Sequence, residues 1–179
     1  MDILHHRLLP PAEGREEEWL RRCAETWKPE DGRQKIHYSQ QLPGGKPGMH
    51  SHTVRIRDFL EFHRKYATRS LDIMLEVKDK NVSALKCAQC VAARTPRRAL
   101  TEAWAWYKYA VLEHSQASYL RLRSLLKARE PSAVGFYSET ESALSQAAAH
   151  GSAVNAAEHV WGHFKGMANA REKQRFESL

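Results

Sequence analysis

Two short runs of alternating residues constrain the fold more than anything else in this chain. In Lys35-Ile36-His37-Tyr38-Ser39, a lysine, a histidine and a serine alternate with Ile36 and Tyr38. In the run Asp72 to Lys78 (DIMLEVK), Asp72, Met74, Glu76 and Lys78 alternate with Ile73, Leu75 and Val77. Successive side chains of a strand point to opposite faces, so each run predicts a strand with a polar front and an apolar back. Between them, Ile56 to Tyr66 carries Phe59, Leu60 and Phe62 near one side of a predicted helix. Strand, helix, strand is the unit of a parallel sheet, whose backs pack on helices and whose strand ends carry chemistry.

The first half extends this pattern. Residues 1–6 (MDILHH) read as a short strand running into a histidine loop, closed by Pro10-Pro11. Glu13 to Trp27 predicts a helix with acidic residues in its first turn, where the macrodipole favours them, and with Leu20, Cys23 and Trp27 on one face. Pro29-Glu30-Asp31-Gly32 is a turn, and residues 34–39 form the next strand. The loop from Gln40 to Thr53 holds Pro43-Gly44-Gly45-Lys46-Pro47-Gly48; loops of this length are functional or disordered, and the flanking His37 and His50 favour a functional one. Residues 71–77 are the third strand, and Asn81 or Ser83 caps a helix through Leu85, Cys87 and Val91. The order β-α-β-α-β-α predicts a partial TIM barrel of about three βα units, with a strand edge left open.

After Arg94-Thr95-Pro96-Arg97-Arg98 no strand pattern remains. Thr101 is expected to cap one long helix, Glu102 to Ala128, rich in aromatics (Trp104, Trp106, Tyr107, Tyr109, Tyr119) and ended by Pro131. A second helix spans about Ser132 to Ala149 and stops at Gly151; a third starts near Ser152; an amphipathic tail, Ala170 to Leu179, shows no clear cap. The predicted fold class is therefore α/β then all-α, with domains at 1–95 and 96–179.

The net charge of +7 is spread over both halves: 17 basic against 13 acidic residues in 1–95, and 11 against 8 in 96–179. Two basic halves favour a polyanionic partner such as nucleic acid, although ordinary surface charge gives the same balance. Three cysteines do not make a secreted disulfide framework, which points to a reduced, cytoplasmic compartment. No apolar run approaches the roughly 20 residues of a membrane span, so no membrane partner is expected, and the start of the chain lacks the pattern of a signal peptide.

Asp2, His5, His37, His50 and Glu76 are carboxylates and imidazoles expected at strand ends or in the loops after them. That oxygen and nitrogen set suits Mn²⁺, Mg²⁺ or Zn²⁺, and no thiolate is offered. Lys35 shares the face of His37; carboxylated, it becomes an anionic bridging ligand. Such a cluster holds a phosphodiester for in-line attack by water. Taken singly, each histidine is more often a structural, hydrogen-bonded residue; taken together, at three consecutive strand ends, the set favours metal binding. His159 and His163, four apart on one helical face, and the single CxxC at Cys87 and Cys90 read as structural before they read as metal ligands.

The blocks DILHH, TW…GRQKIHYS, PGMHSH and DIMLEVKDK, in this order over about residues 1–90, resemble the C-terminal half of the UV damage endonuclease family (UvdE/UvsE type). The resemblance implies a TIM barrel that binds several divalent ions, usually manganese, and cuts the DNA backbone 5′ to a UV photoproduct. It implies metal ligation by Asp2, His5, Lys35, His37, His50 and Glu76, with Lys35 modified. Lys35, His37 and Glu76 are then closest to the catalytic chemistry, and Tyr38 and Lys78 are expected to touch substrate, Lys78 at a phosphate. The family's earlier strands, further ligands and lesion-probing residues have no counterpart here. The chain is expected to be a C-terminal part, with UV-damaged duplex DNA and an N-terminal barrel half as partners, or else a non-catalytic binding protein. The run AWYKYAVLEHS (105–115), then Asn155, HVWGHFK (159–165) and Glu172-Lys173 resemble the YbgA-type domain of unknown function, for which the resemblance implies RNA binding. Trp106, Lys108, Tyr109, Arg121 and Arg123 mix aromatic rings with cations, as a strand-binding surface does; core packing explains most of the aromatics.

Overall fold

The computed structural model describes residues 1–178 and divides the chain into two compact units, Met1–Ala93 and Arg94–Leu179. The first unit is mixed α/β. Its elements are α1 (Ile3–Leu8), α2 (Glu16–Glu25), β1 (Gln34–Tyr38), α3 (Ile56–Lys65), β2 (Leu71–Leu75) and α4 (Asn81–Val91). β1 and β2 pair in parallel, with Lys35 opposite Asp72 and His37 opposite Met74.

The alternation in the sequence appears directly in β1. Gln34, Ile36 and Tyr38 are buried while Lys35 is exposed and His37 half-buried. Ile36 is fully buried, and Tyr38 meets the edge of Phe59 and the ring of Phe62 on α3. α3 presents Ile56, Phe59 and Phe62 as one buried stripe at helical spacing.

The expected first strand is reduced to a single parallel bridge between Asp2 and His37, in which His37 N–H donates to the Met1 carbonyl at 2.9 Å. The cause is local. The Asp2 carboxylate accepts the His5 backbone N–H at 3.0 Å, which starts α1 at Ile3, inside the expected strand. Behind this corner, Arg7 of α1 donates to Glu16 of α2 at 2.6 and 3.2 Å, and Tyr66 at the end of α3 also donates to Glu16. Burial pushes the Glu16 carboxyl up, but these hydrogen bonds and the charges of Arg7 and Lys65 outweigh it and hold the group at about 2. Burial and the bond to Glu16 push the Tyr66 phenol up to about 12.

The second unit is helical: α5 (Arg97–His114), α6 (Gln116–Leu125), α7 (Ala133–Leu144), α8 (His150–Phe164) and α9 (Ala170–Glu177). The single long helix expected from residue 102 to 128 is two helices. Ser115 is extended (φ −158°, ψ 104°), and its hydroxyl accepts the Ser118 N–H and opens α6. α8 begins at His150 and runs through Gly151, which lies inside the helix instead of ending the one before it. α9 has a reciprocal cap that the sequence reading lacked, between Asn169 and Glu172. Leu100, Val111, Leu112, Leu122, Phe136 and Tyr137 form this unit's core. Leu179, the last residue of the expected tail, lies outside the described residues.

Candidate metal centre

Four short segments converge at the C-terminal end of the sheet. Asp2 comes from the corner before α1, His37 from β1, and Glu76 from the residue after β2, where its N–H donates to the Tyr38 carbonyl at 2.9 Å. One ligand atom each of Asp2, His37 and Glu76 lies within 4.8 Å of the others, and all three side chains are half-buried. The His37 Nδ1 sits 2.5 Å from Glu76 Oε1, and the His50 Nε2 lies 3.7 Å from Glu76 Oε2. The His5 Nδ1 sits 2.7 Å from Asp2 Oδ2, and its ring lies 6.0 Å from that of His50.

The fourth segment is the loop after β1. Gln41 pairs with His50 in an antiparallel bridge, and its side-chain amide staples the loop by donating to the Lys46 carbonyl at 2.8 Å. The Gly48 N–H closes the staple by donating to Gln41 Oε1, also at 2.8 Å. Gly48 has φ +85°, and a Cβ there would lie 3.6 Å from His5 Nε2. The left-handed backbone, which glycine adopts without strain, seats the loop tip beside His5. Gln40 fixes the other end by accepting the Arg55 N–H at 2.7 Å and donating to the Tyr38 hydroxyl at 2.9 Å. The sequence reading did not single out either glutamine. The available signal was two adjacent amides directly before a proline- and glycine-rich loop.

The electrostatics of the cluster follow from its pairs. For Asp2, burial works upward, but the hydrogen bonds from His5 and the charges of His5 and His37 bring its carboxyl below the usual range. The bond to Asp2, helped by its charge and that of Glu76, raises the His5 imidazole.

Two expected site residues lie elsewhere. Tyr38 was expected at the substrate, but strand alternation turns it to the opposite face from His37. It is 2 % exposed in the apolar core, and burial pushes its phenol up to about 12. Lys35 was expected as a modified ligand among the metal residues. Its ammonium lies 4.0 Å from Asp72 Oδ2 and over the Trp27 ring at 5.6 Å, one strand repeat before His37. Lys78 is exposed in the turn after β2. In the second unit, His159 and His163 hold different partners, the Asn155 carbonyl and the Tyr109 hydroxyl.

The donor set fits a divalent ion. Two carboxylates and one imidazole converge, with two further imidazoles alongside, and all are oxygen or nitrogen donors. The Ser39 and Ser51 hydroxyls, two residues beyond His37 and directly after His50, are buried with no hydrogen-bond partner among the described residues. Buried hydroxyls are normally paired, so this corner is polar beyond what the described side chains satisfy.

Comparison with known proteins decides the family. Residues 1–96 match the family profile of UV-endonuclease UvdE. The chain belongs to that family. Residues 108–179 match a second family, a protein of unknown function (DUF1722). Over 106 residues the chain is 39 % identical to the UV DNA damage endonuclease of Clostridium perfringens, covering 57 % of this chain and 26 % of that protein. Over 87 residues it is 37 % identical to a protein of Acanthamoeba polyphaga mimivirus provisionally named a UV-damage endonuclease, covering 48 % of this chain and 26 % of the viral protein. A solved structure described as that of SacUVDE is 41 % identical with a TM-score of 0.41, covering 49 % of this chain and 28 % of that one. The UvdE portion thus spans about a quarter of the length of the relatives it matches.

Proposed function

We propose that residues 1–96 form the metal-binding wall of a UV damage endonuclease site, as the C-terminal part of a TIM barrel that nicks DNA 5′ to UV photoproducts. The observation that carries this reading is the convergence of Asp2, His37 and Glu76 from three separate segments within 4.8 Å. Asp2, His37 and Glu76, with His5 and His50 beside them, would hold the ions, of which Mn²⁺ is the leading candidate; a carboxylated Lys35, turned away from Asp72 and Trp27, would join them. Bound divalent ions supply charge neutralisation at the scissile phosphate and acidify water for in-line attack.

The chain's own residues set up this chemistry. Asp2 orients the His5 ring, Glu76 orients His37 and lies 3.7 Å from the His50 ring nitrogen, and the Gln41 staple fixes the loop that carries His50. Lys78, exposed two residues beyond Glu76, would meet a DNA phosphate. No helix among the described residues is long and apolar enough to cross a membrane.

A nucleic-acid grip by the helical unit is supported by Trp106, 86 % exposed on α5, and by the Lys108 ammonium 4.5 Å from the Tyr109 ring. An exposed indole near a cation-capped, half-buried ring suits stacking on single-stranded DNA or RNA. The test incubates the chain with Mn²⁺ and UV-irradiated duplex, alone and with the remaining part of a family barrel. Nicking that disappears in His37→Ala supports the endonuclease reading. No nicking in either condition leaves the chain as a binding protein.

A further inference from the structure

The loop that carries His50 is held at both ends. Ahead of His50 it is stapled by Gln41. Behind His50, residues 51–54 run against the turn after β2 and against α4. The Lys78 N–H donates to the Ser51 carbonyl at 3.3 Å, and the Asp79 N–H to the His52 carbonyl at 3.0 Å. α4 has two working faces. Ala84, Ala88 and Val91 line an open groove of about 580 Å³ behind β2. Ser83 and Lys86, on another face, are 0 % and 3 % exposed and reach the loop. Ser83 was one of two expected caps of α4, but the cap position falls on Lys80. The Ser83 hydroxyl instead accepts the Val54 N–H at 2.9 Å and lies 3.3 Å from the Thr53 hydroxyl. The Lys86 ammonium donates to the Thr53 hydroxyl at 3.0 Å and to the Val54 carbonyl.

A lysine is almost never fully buried, because taking its ammonium out of water is costly. A methionine would fill the same helix position without that cost. What the ammonium adds is direction, since its N–H donors hold chosen oxygen atoms in place. Here those oxygens belong to the two residues that close the His50 loop. We propose that Lys86 is a positioning residue of the metal centre. With Ser83 it clamps Thr53 and Val54 onto α4, and through that short segment it sets where the His50 imidazole stands beside Glu76. Val54 lies four residues beyond His50, and Ser51 between them is itself buried. The imidazole therefore sits between two anchors, the Gln41 staple before it and the Lys86 clamp after it. Lys86 acts through the loop and touches neither ion nor substrate. The proposal rests on the metal-centre reading above.

The test is a double-mutant cycle on the full chain. Mn²⁺ affinity is read from the electron spin resonance signal of the free ion, which follows weak binding as well as strong, in the parent chain, Lys86→Met, His50→Ala and the double variant. Lys86→Met is expected to weaken binding about fivefold or more in the parent chain. In the His50→Ala background it is expected to cost less than about twofold, because the clamp then has no ligand to position. Hydrogen exchange on the metal-free chain is the second readout. In Lys86→Met the amides of Ser51, Val54, Lys78 and Asp79 should exchange at least about tenfold faster, while the His37 amide, bonded to Met1, keeps its rate. Thr53→Val removes one partner of the ammonium and leaves α4 intact. It is expected to act in the same direction on both readouts, and it decides the matter if Lys86→Met does not fold. The proposal is overturned by equal weakening in both backgrounds, which is what a merely structural lysine gives, by no weakening, or by unchanged exchange at the loop amides. Absence of Mn²⁺ binding by the parent chain would count against the metal-centre reading, and exchange in the metal-free chain would then decide the clamp.

Discussion

β1 and β2 are equal in length, run in parallel and carry the same polar-front, apolar-back pattern, yet they end in different surroundings. β1 is flanked on both edges and its back is sealed by α3, so Ile36 is fully buried and Tyr38 is 2 % exposed. β2 is flanked on one edge, and none of its five residues is fully buried. Alternation sets which way a side chain points; neighbours set whether it is covered. The same difference separates the two halves of the candidate site. His37 is anchored within a strand, while Glu76 stands one residue past a strand with a free side.

The comparison can be broken by substitution. Ile36→Ala should cost about 3 kcal/mol, since the methylenes removed come from a closed core, while Ile73→Ala should cost about 1 kcal/mol beside the open groove. Urea unfolding with hydrogen exchange read at β1 and β2 checks both values, and equal losses would erase the distinction between the strands.

The next effect lies behind β1, where Glu16 ties α1, α2 and α3 together. Its carboxyl is held at about 2 in the folded chain, against an ordinary value of 4.5. The stability it contributes is therefore complete above pH 4.5 and lost as the pH falls from there towards 2. Glu16→Gln should destabilise by about 1–2 kcal/mol at pH 7, partial exposure included, and the gap to the parent chain should close across that window. A gap that stays constant with pH would assign the loss to packing.

Asp2→Ala removes the cap of α1 and should cost about 1 kcal/mol. It should also loosen the outer edge of β1, with faster exchange of the His37 amide. The smallest effect belongs to Met74→Lys on the exposed front of β2, expected within about 0.5 kcal/mol of zero. A large loss there would mean that the front face is already covered.

Much of the first unit was legible from residues alone. The period-2 runs gave β1 and β2, and the Phe59 and Phe62 spacing gave α3, because each pattern is local and strong. The first strand was misread because Asp2 can extend a strand or cap a helix, and only its bond to the His5 N–H decides between them. Tyr38, expected at the substrate, is turned into the core by the same alternation that points His37 to the front. Ser115 looked like one polar residue in a long helical pattern. Its capping role depends on a backbone angle that composition does not reveal. The meeting of Asp2, His37 and Glu76 could be expected from strand ends, but the loop that delivers His50 depends on side-chain hydrogen bonds from Gln41, which leave no periodic trace.

The most direct test of the metal centre is isothermal titration of the full chain with Mn²⁺, repeated for Glu76→Gln and His37→Ala. The metal-centre reading predicts saturable binding that weakens by at least about tenfold in each variant, while circular dichroism shows the fold retained. Binding with equal affinity in all three chains, or no binding by the parent chain, would contradict it.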